Sequence, residues 1–216
     1  TGVVEVSGAG SELNNWYGKI SSTYSYIYVG YSGNGSLIIS DGGALNHSVG
    51  SIGTNTGATG IAIVTGSGSQ WNNDSWLYVG DSGNGLLTIS EGGTVTSYHS
   101  YIGRYNGSTG VVNVTGSGSQ WNLNSGSSLY VGSAGDGTLT ISEGGTVTSR
   151  FGTIGSAADS TGVVNVAGSG SLWTITYNSG NTFTVGNAGN GALTISEGGT
   201  VSNIRGSGTI GKEAGS

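Results

Sequence analysis

One phrase occurs four times in this chain and constrains its fold more than any other feature. Residues 134–147 read AGDGTLTISEGGTV, and close variants stand at 32–45, 82–95 and 188–201. A second phrase, TGVVNVTGSGSQW at 109–121, has relatives at 1–16, 59–71 and 161–173. The two phrases together give a period of about 50 residues, which indicates a repeat architecture.

Each period divides into two halves of about 25 residues that have similar sequences. GVVNVTGSGSQW leading to LYVG aligns with GTLTISEGGTV leading to TIG. Each half contains three short segments of alternating apolar and polar residues, bounded by glycines or by pairs such as Asn34-Gly35 and Asp136-Gly137. The alternation predicts strands, and the glycines supply the positive φ angles that corners need.

A unit of three short strands cannot enclose a core alone, but stacked units can, since each strand pairs in parallel with its counterpart one coil later. The sequence therefore predicts an all-β fold, a parallel β-helix or β-solenoid of about eight three-strand coils, roughly 40 Å long. A sandwich of antiparallel hairpins is the alternative, because Asn-Gly pairs are also hairpin signals. The fixed period of the corner glycines favours the solenoid.

The whole chain, residues 1–216, reads as one solenoid segment excised from a longer protein, because it begins and ends in mid-pattern. The predicted repeat units are about 1–58, 59–108, 109–160 and 161–216. The alternation predicts that these pairs on the first strands point into the core: Val4/Val6, Leu37/Ile39, Ala62/Val64, Leu87/Ile89, Val112/Val114, Leu139/Ile141, Val164/Val166 and Leu193/Ile195. Four tryptophans, Trp16, Trp71, Trp121 and Trp173, are predicted to alternate in the core with Leu45, Val95, Val147 and Val201.

The composition limits the function classes. The formal charge is −6 and the five basic residues are scattered, which argues against a nucleic-acid partner. No run of 18 apolar residues occurs, so we expect no direct membrane insertion by this segment. The presence of only two histidines and no cysteine argues against a zinc or copper site, and no cofactor is expected.

The combined sequence motif is VGxxGxGxLTISEGGTV…IGxxxGxTGxVxVxGxGSxW. It resembles a repeat found in passenger domains of bacterial type V autotransporters, including adhesin-like ones. The same repeat also occurs in some PEP-CTERM-associated exported proteins. The resemblance covers essentially the whole chain in four copies, and the first coil, with YGKISSTYSYIYVG, departs most. It implies an exported β-helical passenger on the bacterial cell surface. The repeat carries no catalytic motif, so the resemblance transfers no active-site residues.

Several patterns suggest chemistry but have simpler explanations. Four carboxylates share one repeat position and could be taken for a glycosidase pair: Asp41, Glu91, Glu143 and Glu197. They recur only every second coil, about 10 Å apart, which is near the upper limit for such a pair, and solvated turn residues are the simpler interpretation. Asp136 is replaced by asparagine in the other copies, which argues against a calcium repeat. Neither His47 nor His99 has a repeat-matched Ser-Asp pair for a triad. Thr-x-Thr pairs at 94–96 and 146–148 are interrupted by Gln-Trp-Asn, which argues against ice binding.

The residue before each apolar-Gly corner is predicted to point outward. Along the coils this position reads Tyr28, Ser51, Tyr78, Tyr101, Tyr130, Thr153, Thr184 and Thr209. We expect its tyrosines, Tyr28, Tyr78, Tyr101 and Tyr130, to form a surface for a glycan or a protein partner, although outward tyrosine also simply suits strands. A second outward set is predicted to be apolar and to support self-association: Val3, Ile38, Ile61, Ile63, Leu86, Val111 and Val163.

These observations predict a non-enzymatic, extracellular stalk or adhesive segment of an autotransporter-type surface protein. The expected partners are another copy of the chain and a glycan or a host or matrix protein. The alternative is a carbohydrate-active β-helix enzyme, a polysaccharide lyase or hydrolase. That alternative rests on fold analogy, because such enzymes need clustered charges on one loop-rich face, and only 7% of this chain is charged.

Overall fold

The computed structural model describes residues 1–15, 24–124, 126–176, 181–204 and 206–213, with the side chains of residues 181 and 182 excepted. In these ranges the chain forms 24 strands, numbered β1 to β24 in chain order. They make three sheets of eight strands, and every pairing is parallel. Three successive strands make one coil, so the predicted parallel β-solenoid of eight coils is confirmed and the hairpin sandwich is wrong.

The first sheet takes the first strand of every coil and has the longest strands. In spatial order it contains β1 (Gly2–Ser7), β4 (Asn34–Ser40), β7 (Thr59–Thr65), β10 (Asn84–Ser90), β13 (Thr109–Thr115), β16 (Asp136–Ser142), β19 (Thr161–Ala167) and β22 (Asn190–Ser196). Buried and partly exposed residues alternate along these strands, as a sheet with one face in the core requires.

The second and third sheets complete each coil. The second contains β2 (Glu12–Asn14), β5 (Ala44–His47), β8 (Gln70–Asn73), β11 (Thr94–Ser97), β14 (Gln120–Leu123), β17 (Thr146–Ser149), β20 (Leu172–Ile175) and β23 (Thr200–Asn203). The third contains β3 (Tyr26–Val29), β6 (Val49–Ile52), β9 (Leu77–Val79), β12 (Ser100–Ile102), β15 (Ser128–Val131), β18 (Phe151–Ile154), β21 (Asn181–Val185) and β24 (Ser207–Ile210).

The predicted inward residues of the first sheet lie in the core. Leu37, Ile39 and their counterparts in coils 3 to 7 are buried. Val4 and Ile195 keep the same inward register but are 46% and 48% exposed, since each lies in a terminal coil that packs against one neighbour only. The core is therefore continuous along the solenoid and open at both of its described ends.

A ladder of alternating large and small side chains fills the core edge under the second sheet. Trp71, Trp121 and Trp173 are fully buried, and each pairs with the predicted smaller residues one coil before and after it. In coil 1, Leu13 holds this position and pairs with Leu45. Trp16 itself lies outside the described residues.

Each described core tryptophan donates its indole N–H to a side chain 24 residues earlier. Trp121 Nε1 donates to Ser97 Oγ at 3.1 Å, and Trp173 Nε1 donates to Ser149 Oγ at 3.0 Å. In coil 3, Trp71 Nε1 donates instead to His47 Nε2 of the preceding coil. His47 is fully buried, and this burial lowers the pKa of the imidazole from 6.5 to about 4. A buried N–H group without an acceptor would lower the stability of the fold, so these buried polar side chains have a structural role.

The corners at the end of the third sheet require glycine. Gly103 has φ +67°, and a Cβ there would lie 2.3 Å from the carbonyl oxygen of Asp136 in the next coils. The equivalent Gly155 has φ +68° and would place a Cβ 2.4 Å from the carbonyl oxygen of Asn190. Both the left-handed conformation and the close approach of neighbouring coils exclude a side chain.

Candidate ligand-binding surface

The outward ladder of the third sheet has the predicted register throughout. Cα pairing runs from Tyr28 to Ser51, on to Tyr78, Tyr101 and Tyr130, and then through the threonines of coils 6 to 8. The structure thus places Tyr78, Tyr101 and Tyr130 in the consecutive coils 3, 4 and 5. It separates Tyr28 from them by one coil, which contributes Ser51.

The three consecutive tyrosines contact one another through their rings. Tyr101 and Tyr130 are stacked, with ring centroids 4.9 Å apart and planes at 12°. Tyr78 and Tyr101 are 5.7 Å apart and tilted by 40°. Tyr78 is only 8% exposed, so it forms the floor of this surface, whereas Tyr101 and Tyr130 are half-buried.

An ion pair between adjacent coils covers Tyr78. Asp81 and Arg104 each follow a corner glycine, and Arg104 Nη1 donates to Asp81 Oδ1 at 3.0 Å. The Arg104 guanidinium lies 4.0 Å from the centroid of the Tyr78 ring and 4.5 Å from that of Tyr105. Cation–π contacts of this length are favourable, so the pair and the rings hold one another in place.

Burial favours the protonated phenols of Tyr78 and Tyr101. Burial raises the pKa of Tyr78 to about 12, the Arg104 charge opposes this rise and the Asp81 charge adds to it. Burial also raises the pKa of Tyr101, and Tyr130 adds to the rise while Arg104 opposes it. The hydroxyls of Tyr78 and Tyr101 are therefore hydrogen-bond donors as well as acceptors across the physiological pH range.

A cavity of about 300 Å³ opens beside the ion pair, between coil 1 and coil 3. We call it the aromatic cleft, and its lining side chains are Tyr26, Tyr28, Tyr31, Val49, Ser51, Thr54, Asn55, Trp76, Tyr78, Asp81 and Arg104. In coil 1, Tyr28 stacks on Tyr26 at 5.5 Å and meets the edge of Tyr31 at 4.9 Å. These three rings are all exposed by more than two fifths, which is unusual for packed aromatic side chains.

The polar base of the aromatic cleft is a chain of short-range hydrogen bonds. The hydroxyls of Ser51 and Thr54 lie 2.9 Å apart, and Ser51 Oγ donates to Asp81 Oδ2 at 3.3 Å. Ser51, Thr54 and Asp81 are all buried. At the rim, Asn55 Nδ2 donates to Ser32 Oγ at 2.8 Å.

Sequence reasoning missed Trp76, Asp81 and Arg104, although a signal for them existed. All three depart from the repeat: Trp76 is the one tryptophan that lies off the period of about 50 residues. The position after the corner glycine carries Asp81 and Arg104 in coils 3 and 4 but Ser133 and Ser156 in coils 5 and 6. Departures from a repeat mark places where the fold does not dictate the residue.

The predicted apolar set lies on the outward face of the first sheet, but it is not continuous. Ile61, Leu86 and Val111 pair in consecutive coils, with Ile38 and Ile63 paired beside them. Ser36 separates Val3 from this run, and Thr138 separates Val163 from it. We call Ile38, Ile61, Ile63, Leu86 and Val111 the apolar strip. A shallow hollow of about 310 Å³ lies on it, lined in part by Ile61, Leu86 and Val111.

The carboxylates of the enzyme alternative lie at exposed corners between the first and second sheets. Asp41, Glu91, Glu143 and Glu197 have φ angles of 52° to 53°, a left-handed conformation that glycine adopts at the equivalent corner of the other coils. The first three accept hydrogen bonds from a serine or threonine one coil earlier. Among the described residues, no three His, Cys, Asp or Glu side chains are placed to share a metal ion, and no helix could cross a membrane.

Neither a family model nor a curated protein matches the chain. Among solved structures, it is similar to the crystal structure of the TibC-catalyzed hyper-glycosylated TibA55-350 fragment, at 16% sequence identity. The alignment covers 97% of this chain and 94% of that chain, with a TM-score of 0.17. A TM-score this low carries no argument about fold or function.

Proposed function

We propose that this chain is a non-enzymatic, extracellular β-solenoid segment of an autotransporter-type surface protein, which acts as a stalk and displays an adhesive surface. The observation that carries the proposal is the contrast between backbone and surface: eight coils keep one register, while the outward ladder of the third sheet changes from tyrosine to threonine. A rod whose core repeats and whose surface varies is suited to holding a recognition surface at a distance.

Export to the bacterial cell surface is supported by the wording of the repeat, which resembles autotransporter passenger repeats over essentially the whole chain. The physics of the solenoid is compatible with that route. Each coil buries its core residues against the coil before it, so folding can propagate coil by coil without disulfides, and the chain contains no cysteine.

The partner surface in this proposal consists of Tyr28, Tyr78, Tyr101 and Tyr130 with the residues of the aromatic cleft. Aromatic side chains combine a large apolar face with a polar tip and lose little conformational entropy when they bind. The apolar strip is a second proposed contact, with another copy of the chain as its partner. Low charge density on the chain would permit close lateral approach.

The test is adhesion and turnover measured on the same sample. Beads coated with the chain should adhere to at least one member of a panel of immobilised matrix proteins and glycans, and beads coated with an unrelated acidic protein should not. Incubation with a polysaccharide panel should release no reducing ends and no unsaturated products. Turnover of any polysaccharide would favour the enzyme alternative and contradict the proposal.

A further inference from the structure

The tyrosine ladder of the third sheet is interrupted at one position, and this interruption creates the aromatic cleft. Ser51 stands between Tyr28 and Tyr78, so these rings belong to strands two spacings apart, about 10 Å. Where no tyrosine is missing, as between Tyr101 and Tyr130, the rings stack directly and leave no space. The small side chain at position 51 therefore opens a binding-sized gap in an otherwise closed aromatic row.

The aromatic cleft presents apolar walls and a fixed polar base. Exposed ring faces come from Tyr26, Tyr28 and Tyr31, and Trp76 and the covered Tyr78 complete the aromatic lining. Asp81 offers carboxylate oxygens, and Arg104, 29% exposed at its side chain, offers guanidinium N–H groups. Apolar surfaces with a few well-placed polar groups are the usual composition of small-molecule sites.

We propose that the aromatic cleft binds one uncharged saccharide ring. The apolar C–H face of the sugar packs on the Tyr28 ring, and its hydroxyls exchange hydrogen bonds with Asp81 and Arg104. The cavity of about 300 Å³ is at the lower end of the range for ligand sites, which suits a single ring. This inference rests on the proposed adhesive function and gives that function a ligand class.

Charge selects against ionic ligands. Asp81 and Arg104 already neutralise each other at 3.0 Å, so the cleft offers no unpaired charge to an ammonium group or a carboxylate. A cationic ligand would also meet the like charge of Arg104, which already occupies the Tyr78 ring. Hydroxyl groups fit instead, because they both donate and accept hydrogen bonds and a fixed ion pair offers both functions.

Titration of the intact chain by saturation-transfer NMR and calorimetry tests the ligand class. The probes are the methyl glycosides of glucose, galactose, mannose and N-acetylglucosamine, with glucuronic acid and glucosamine as charged counterparts. At least one uncharged glycoside should bind at millimolar concentration or below. Stronger binding of a charged probe than of every uncharged one would overturn the assignment.

Three variants locate the site. Tyr28→Ser removes an exposed wall and should weaken binding by about tenfold or more, the contribution expected of one aromatic contact. Ser51→Tyr fills the gap in the ladder and should abolish binding. Tyr98→Ser replaces another exposed tyrosine, one outside both the ladder and the cleft, so it is the matched control and should bind as the parent does. Thermal unfolding checks that each variant is folded. If Ser51→Tyr does not fold, the loss of binding in Tyr28→Ser tests the site alone.

Two further arms identify the source of the sugar and separate this inference from the proposed function. Adhesion is compared on mammalian glycoproteins, with and without their glycans removed enzymatically, and on bacterial polysaccharides. Adhesion to the glycoproteins that is lost on removal of their glycans, or adhesion to the bacterial polysaccharides, supports the saccharide site if Tyr28→Ser also abolishes it. If the chain adheres equally to deglycosylated protein and binds no probe, the saccharide site is wrong while adhesion stands. Failure to adhere to any surface contradicts both.

Discussion

The third sheet differs between coils 1 to 5 and coils 6 to 8 in the residues on its outward face. The outward ladder carries tyrosine in four of the first five coils and threonine in the last three, Thr153, Thr184 and Thr209. The backbone pairing, the corner glycines and the inward residues are equivalent in both parts. The difference teaches that corners and core are sufficient for the fold, whereas the tyrosines are an addition that the fold does not require.

The largest effect should come from the corner glycines, and it should be equal in both parts. Gly103→Ala and Gly155→Ala each force a Cβ to within 2.3 and 2.4 Å of a backbone oxygen in a neighbouring strand. We expect each to lower the free energy of unfolding by more than about 4 kcal/mol, because the clash involves backbone on both sides. Urea denaturation followed by circular dichroism measures this.

Gly107→Ala is the control for conformational strain alone. Gly107 has φ +79°, but a Cβ there would meet no atom within 4 Å. Its substitution should cost about 1–2 kcal/mol, the cost of the left-handed conformation for an L residue. Equal costs at Gly103 and Gly107 would contradict the account of close coil packing.

The next effect distinguishes the two parts, because among the described core tryptophans only Trp71, in the N-terminal part, has a histidine as its acceptor. His47 has a pKa of about 4 when folded and 6.5 as reference, so the unfolded chain binds the proton first as pH falls. Its contribution to stability is complete above pH 6.5 and is lost progressively between about pH 6.5 and 4, by about 3 kcal/mol.

His47→Ser isolates this contribution, since serine already accepts the equivalent hydrogen bond in coils 4 and 6. The difference in unfolding free energy between the parent and His47→Ser should shift by about 3 kcal/mol between pH 7 and pH 4, against the parent at low pH. Parallel stability curves for the two proteins would show that His47 is not held neutral in the fold.

A smaller and symmetric effect is expected from the serine acceptors. Ser97→Ala and Ser149→Ala each leave a fully buried indole N–H, of Trp121 and Trp173, without its acceptor. Each should lower the free energy of unfolding by about 1–3 kcal/mol. Ser117→Ala, at an exposed corner, should change it by less than about 0.5 kcal/mol. Unequal losses at Ser97 and Ser149 would break the equivalence of the two parts.

The smallest effect on stability, but a measurable one on association, concerns the apolar strip. We expect Ile61→Thr/Ile63→Thr/Leu86→Thr to reduce lateral self-association in sedimentation velocity at fixed concentration and salt. Val163→Thr, which Thr138 separates from the strip, should associate as the parent does. The terminal coils are kept identical in all samples, because open strand edges also pair. Equally monomeric behaviour of parent and triple variant at high concentration would dismiss the strip.

The fold was predictable from the sequence because its two determinants, alternation and corner glycines, are written in every repeat. The register of the tyrosine ladder and of the tryptophan ladder followed from the same repetition. Coil 1 departs most from the repeat, and the pattern did not reveal that Leu13 pairs there with Leu45.

The candidate site was only half predictable, for a physical reason. Tyr28 and Tyr78 stand on the repeat, so alternation placed them. Asp81, Arg104 and Trp76 lie on corners and loops, where no periodic rule assigns a direction or a neighbour. That Arg104 folds back over Tyr78 depends on charge and ring contacts across coils, which a pattern of apolar and polar residues does not contain.

The most direct test of the central claim is to give coils 1 to 5 the surface of coils 6 to 8. A variant with Tyr28, Tyr78, Tyr101 and Tyr130 all replaced by threonine is compared with the parent for adhesion to the panel and for thermal unfolding. We predict that it keeps the β-sheet circular dichroism spectrum and a cooperative unfolding transition, at a cost of about 1 kcal/mol per site, and loses adhesion. Retained adhesion, or loss of the folded state, would contradict the separation of fold from surface.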